Sequence, residues 1–175
     1  MNRIGIRLVA MTALLSATLA MAQKPAPLAP APIPPAIAAA KKIFVSNAGA
    51  DSGLFPSPFS GNPDRSYFQF YSSLKETGLY EVVSDPAEAD LVLELQLIAP
   101  NGPTNVNKAY GASDPLPMFR LTIYDRKTRF VLWTLTESIQ AAVGQKNHDR
   151  TFDDALMAIL MDFEDLSGKA AQVKH

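Results

Sequence analysis

The chain contains no cysteine. That excludes disulfides, thiolate metal sites, iron–sulfur clusters, a cysteine nucleophile and lipidation of an N-terminal cysteine. Histidine is almost as scarce, with His148 and His175 alone. Charge of one sign is not in excess either. Lys and Arg number 16 against 17 Asp and Glu, so no basic surplus exists to grip a phosphate backbone and no nucleic-acid partner is expected. What is present is ordinary for a globular chain: 175 residues, 47% hydrophobic and 19% charged. That suffices for one domain with a core of usual size.

The start, MNRIGIRLVAMTALLSATLAMAQ, reads as an export signal. Arg3 and Arg7 form a positive region, Leu8 to Leu19 an apolar one, and Ala20-Met21-Ala22 a small-x-small cleavage site. The apolar stretch falls short of the roughly 20 residues a spanning helix needs, so no stable membrane anchor is expected. Residues 1–22 are thus a signal peptide, and the location is periplasmic or secreted. Residues 23–40 follow as a linker. Six of the chain's 14 prolines lie at 25, 27, 30, 32, 34 and 35, which predicts an extended, polyproline-like spacer that is neither helix nor sheet interior. One domain then spans residues 41–168, with a tail over 169–175.

Within the domain, KKIFVS is a β-branched and aromatic run that predicts a strand, followed by a glycine- and proline-rich loop from Asn47 to Gly61. Asn62 and Pro63 then predict a helix start. Tyr67, Phe70, Tyr71 and Leu74 share one helical face, and Gly78 marks the stop. LYEVVS at 79–84 predicts a second strand, and DPAEAD a turn. The clearest signal is ADLVLELQLIAP, where Leu91, Leu93, Leu95 and Leu97 alternate with polar neighbours. Residues 99–117 read as a long, turn-rich loop. Phe119, Leu121 and Ile123, the turn at Asp125–Thr128, and Val131, Trp133 and Leu135 predict a hairpin. Thr151 and Asp154 have capping-box spacing, which predicts that a last helix opens there and that Asp149, Asp153 and Asp154 complement its dipole. The fold class is therefore α+β: a mixed five-stranded sheet in β-α-β-β-β-β-α order, with two helices packed against it.

ETGLYEVVSDPAEADLVLELQL followed by FRLTIYDRKTRFVLW resembles a recurring bacterial envelope module. There a helix ends at G-[LF]-x-V, an A-D-hydrophobic strand follows, and an x-D-x-x-T-x-x-x-L-W hairpin comes next. The pattern is similar to the curli-secretion lipoprotein and Tol translocation N-terminal domain superfamily, and to uncharacterised exported bacterial proteins that share its scheme, over residues 41–168. The resemblance implies a periplasmic assembly, scaffold or regulatory role and brings no catalytic motif. The chain departs from the lipoprotein members in lacking the acylated cysteine. It departs from the Tol module in lacking the propeller after it, so neither anchoring nor pore formation is expected.

Chemistry-bearing residues are few. His148 with Asp149, Asp153 and Asp154 could hold a cation or support a general base, yet no HxxxH spacing is present. Asp85, Glu88 and Asp90 fit a turn and a strand start better than a paired-carboxylate site. Ser72-Ser73-Leu74-Lys75 spells SxxK without the SDN or KTG that accompanies it in penicillin-binding enzymes. Met157 and Met161 stand one helical turn apart and read as core edge. Leu54, Phe55 and Phe59 form an apolar loop that either docks a partner or folds back over the sheet. The expectation is a non-enzymatic, exported binding or assembly module whose partner is an unknown envelope protein or component. Its possible partner-binding loop is Leu54, Phe55 and Phe59; no catalytic residue, metal or cofactor is expected. The alternative is a secreted hydrolase using His148 and nearby acids.

Overall fold

The computed structural model describes residues 31–104 and 113–169. The export-signal reading of residues 1–22 lies outside them, as do the first part of the proline-rich stretch, the middle of the 99–117 loop and most of the tail.

The leucine alternation seen in the sequence builds the centre of the sheet. In β3 (Leu91–Ile98), Leu91, Leu93, Leu95 and Leu97 are all buried. On one side β1 (Lys42–Ala50) runs parallel, with Ile43 opposite Leu91 and Val45 opposite Leu93. On the other, β6 (Met118–Asp125) runs antiparallel and sets Ile123, Leu121 and Phe119 against Leu93, Leu95 and Leu97. The hairpin return β7 (Val131–Ser138) pairs antiparallel with β6, and β2 (Glu81–Val82) pairs parallel with β1. The order is β2-β1-β3-β6-β7, a mixed five-stranded α+β sheet.

Two helices cover the apolar face. Helix α2 (Arg65–Thr77) buries Phe70 and Leu74 and stops at Gly78, whose φ of 65° lies in the left-handed region. Helix α3 (Gln145–Leu166) buries Phe152, Leu156, Ile159, Leu160 and Phe163. Each such side chain contributes about 1.5–3 kcal/mol through burial. No described helix is long and apolar enough to cross a membrane.

Four expectations change. The last helix opens at Gln145, not at Thr151. Gly144, at φ 84°, is its N-cap, and the Thr151 hydroxyl donates to the His148 carbonyl at 3.0 Å inside the helix instead of capping it. Asp149, Asp153 and Asp154 therefore lie beyond the first turn, which carries no acid. Second, the spacer does not stay extended: α1 (Pro35–Ala39) is a single helical turn with Ile37 fully buried. Proline suits the first position of a helix, and Ala-Ile-Ala-Ala after it contains none. Third, the strand predicted over 79–84 pairs only at two residues. Fourth, residues from the 99–117 stretch form a two-stranded ribbon, β4 (Asn101–Thr104) with β5 (Ser113–Pro115).

Candidate functional site

Strands β1 and β3 end side by side, and there the chain turns inward. The Asp51 carboxylate accepts from the Gly53 amide at 2.9 Å and starts a short turn at Ser52–Leu54. The Phe59 amide then donates to the Leu54 carbonyl at 3.1 Å, closing a tight loop. Leu54 and Phe59 are buried and Phe55 is partly buried against the core. The Phe59 ring lies 5.1 Å from Phe152 of α3, which in turn meets Phe119 of β6 edge-on at 5.0 Å. Of the two readings of this loop, folding back over the sheet describes the placement of all three residues. Their polar and proline neighbours face outward.

Charge fastens the loop. Arg65, at the start of α2, donates through Nη1 to Asp149 Oδ1 at 2.6 Å and through Nη2 to Asp153 Oδ1 at 2.7 Å. Its guanidinium lies 4.3 Å from the centre of the Phe152 ring. Asp149 Oδ1 also accepts the Ser60 amide at 2.9 Å, and Gln145 Nε2 bridges Asp149 Oδ2 and the Pro58 carbonyl. Burial pushes the Asp149 carboxyl up, but the hydrogen bonds from Ser60, Arg65 and Gln145 together outweigh it and hold it well below the usual carboxylate range. Asp149 and Asp153 are thus committed to holding α2, α3 and the loop together. Asp154 is exposed.

Above this tie lies an apolar cleft of about 590 Å³. Leu54, Pro58 and Phe59 form one wall, Leu116 and Pro117 a second, and Ile139 and His148 close it. His148 sits in the first turn of α3, partly buried, with its ring edge-on to Phe59 at 6.3 Å. Among the described residues no side chain hydrogen-bonds its imidazole and no cluster of three metal-ligating side chains occurs. A general base needs a reacting partner within hydrogen-bond reach and usually a carboxylate to orient it. The nearest acid in sequence, Asp149, is spent on Arg65. The chemistry this arrangement supports is enclosure of an apolar group beside the His148 ring and the Asp114 carboxyl.

The other candidates resolve into structure. Asp90 Oδ2 accepts the amides of Lys41 and Lys42, both at 2.9 Å, and these bonds lower its carboxyl below the ordinary range. Asp85 accepts the Ala87 amide at 2.7 Å in a turn at Pro86–Glu88. Ser72 and Lys75 are exposed near the end of α2. Met157 and Met161 are exposed rather than at the core edge, on the outer side of α3. A hollow of about 690 Å³ on the uncovered sheet face, beside Tyr124 and Arg126, is more polar, and Tyr124 there donates to Glu94 at 3.3 Å. Sequence reasoning missed Leu116, Pro117 and Ile139. The signal for Leu116 and Pro117 was the Asp-Pro-Leu-Pro run, which reads as a turn and gives no hint of what it faces, and Ile139 showed only as the end of the hairpin's return strand.

Neither a protein-family model nor a curated protein matches the sequence. Solved structures do resemble it. A DUF4136 family protein from Bacteroides thetaiotaomicron is 14% identical, with 75% of this chain and 90% of that one covered at a TM-score of 0.48. The PelC dodecamer from Paraburkholderia phytofirmans is 15% identical, with 70% and 87% covered at 0.45. A lipoprotein from Neisseria meningitidis is 14% identical, with 69% and 99% covered at 0.37. The α+β assignment itself rests on the chain's own paired strands.

Proposed function

We propose that the protein is an exported, non-enzymatic binding or assembly module of the bacterial envelope, periplasmic or secreted, that receives an envelope partner in the cleft above Phe59. The observation that supports this reading is the make-up of the cleft. Its walls are mostly apolar, with His148, Asp114, Ser138 and Gln140 as the polar groups among them. Apolar clefts with few polar groups bind; they do not by themselves cleave. The secreted-hydrolase reading draws on one observation, that His148 lines this cleft together with Asp114 and Ser138.

A photo-crosslinking residue at exposed Gln140, on the rim, tests the proposal in the exporting bacterium. The expected result is one discrete adduct, lost when Leu116→Asp places a charge in the wall. Leu116 is 48% exposed, so the fold tolerates that change. Absence of any adduct, or ester or peptide hydrolysis that disappears in His148→Ala, overturns the binding reading.

A further inference from the structure

The outer surface of the two helices is not uniformly polar. Arg65, at the start of α2, meets Asp149 and Asp153 of α3. Tyr80, just past the end of α2, packs 5.4 Å from Phe163 near the end of α3. The helices therefore run side by side in the same direction. An open groove of about 320 Å³ lies between them, lined by buried Leu156 together with Phe68, Ser72 and Met157. Phe68 is 60% exposed and Met157 45%, and Met161, one turn further along α3, is 60% exposed. Three large apolar side chains held in water along one groove form the kind of patch that marks an interaction site, because covering each of them is favourable.

Charge brackets the patch. Asp153 and Asp154 stand one turn before Met157, and Glu164 and Asp165 one turn after Met161. From Asp153 to Asp165 the helix carries five acids and no lysine, arginine or histidine. Asp153 is tied to Arg65, but Asp154 and Asp165 are exposed and make no ion pair among the described residues. Across the groove, Lys75 and Glu76 of α2 cancel each other. Such a field repels a nucleic acid or an anionic lipid surface and attracts a cationic partner.

We propose that the α2–α3 groove docks a basic amphipathic helix of a partner protein, its apolar stripe on Phe68, Met157 and Met161 and its lysines or arginines beside Asp154 and Asp165. Two helices lying side by side form a trough that a third helix fills, with anchors spaced by single turns. Asp154 and Asp165 stand roughly 16 Å apart along the axis at 1.5 Å per residue. The docked segment therefore needs about three turns, with its cations at both ends of the apolar stripe. Methionine side chains are unbranched and adapt to what they cover, so the groove accepts helices that differ in detail. The site lies outside the cleft above Phe59, and the proposal is independent of what that cleft receives.

Fluorescence anisotropy with a labelled peptide of leucine and lysine tests it. The peptide has leucine at helical spacing and about 18 residues, enough to form a helix. The expected result is saturable micromolar binding to the exported protein that weakens as salt rises. Phe68→Ser and Met161→Ser should each weaken it about fivefold or more, through one lost apolar anchor. Asp154→Asn combined with Asp165→Asn should weaken it and flatten its salt dependence. All four positions are exposed, so the urea midpoint should barely move and a loss of binding is not a loss of fold. Leu116→Ser, in the other cleft, should bind the peptide as the wild type does. The same peptide with glutamate in place of lysine, and vesicles of phosphatidylglycerol, should not bind. Absence of binding below about 0.1 mM peptide overturns the proposal. So does binding indifferent to both Phe68→Ser and Met161→Ser, equal binding of the glutamate peptide, binding lost in Leu116→Ser alone, or vesicle binding that Phe68→Ser abolishes.

Discussion

The two ends of the sheet are closed by different chemistry. Where β1 and β3 finish, aromatic rings of the 51–63 loop stack over Phe152 and a charged network around Arg65 ties them down. Where the same strands begin, the closure is made by the chain's flanks. Ile37 of α1 is buried, Tyr80 donates to Ser167 at 2.6 Å, and Lys169 Nζ donates to the Ala40 carbonyl at 2.6 Å while lying 3.8 Å from the centre of the Tyr80 ring. The first end ties its charges into hydrogen bonds and leaves a mostly apolar cleft open above them. The second packs the flank against the core, leaving a hollow of about 170 Å³ beside Ala36 and Lys127 and the larger, more polar one on the uncovered sheet face. The apolar cleft lies where charged ties hold the loop, whereas at the other end the flank packs its own side chains onto the core.

Cavity-forming changes probe that contrast most strongly. Phe59→Ala should cost about 3–5 kcal/mol and Ile37→Ala about 2–5 kcal/mol in urea denaturation, as large-to-small core changes do. A loss under about half a kcal/mol for Ile37→Ala would detach the flank from the domain and leave the first end as the only real closure. Next come the polar ties. Arg65→Ala should cost about 2–3 kcal/mol, chiefly through Asp149 left without its charged donor. Lys169→Met should cost about 1 kcal/mol, through one hydrogen bond and a ring contact. Equal losses would erase the distinction between the ends.

Acid separates them further. The Asp149 carboxyl is depressed in the folded protein, so its stabilisation is complete above about pH 4 and is lost as pH falls further. Burial, helped by Asp165, raises the Glu164 carboxyl near the other end, so folding there binds a proton more readily than the unfolded chain. Stability from that group therefore increases as pH falls from neutral through its raised range. Asp149→Asn should flatten the acid limb of a stability–pH curve, and Glu164→Gln the slope nearer neutrality. The smallest effect belongs to the exposed Lys42–Glu81 pair at 3.4 Å. Glu81→Ala should change stability by less than about 0.5 kcal/mol, measured by the same denaturation.

Much of the sheet was legible because burial writes itself as alternation. Leu91 to Leu97 and Phe119 to Ile123 are spaced for a single covered face, and the turn at Asp125 shows its chemistry, with the carboxylate accepting the Thr128 amide at 2.7 Å. The start of α3 was not legible because Thr151 and Asp154 satisfy a local capping pattern that also occurs inside helices. What decides the boundary is Gly144, seven residues upstream of the Thr151 expected to open it. The turn at Pro35–Ala39 was hidden by the prolines before it, and next to it the Ala40 carbonyl meets Lys169, 129 positions away. The candidate site was half visible. Leu54, Phe55 and Phe59 stood out as an apolar loop, but Leu116 and Ile139 reach the same cleft from elsewhere in the chain, and no local pattern announces that meeting.

Lys169 and Ala40 touch although 129 positions separate them. The folded unit thus has its entrance and its exit at one corner, on the side away from the cleft. A polypeptide that enters and leaves at the same point can be spliced into a surface loop of a host protein with little cost in loop closure. Grafted in that way with α1 and its buried Ile37 kept inside the insert, the domain should behave as a cassette: it would hang from its host by a stem at that corner, with the cleft at the opposite end.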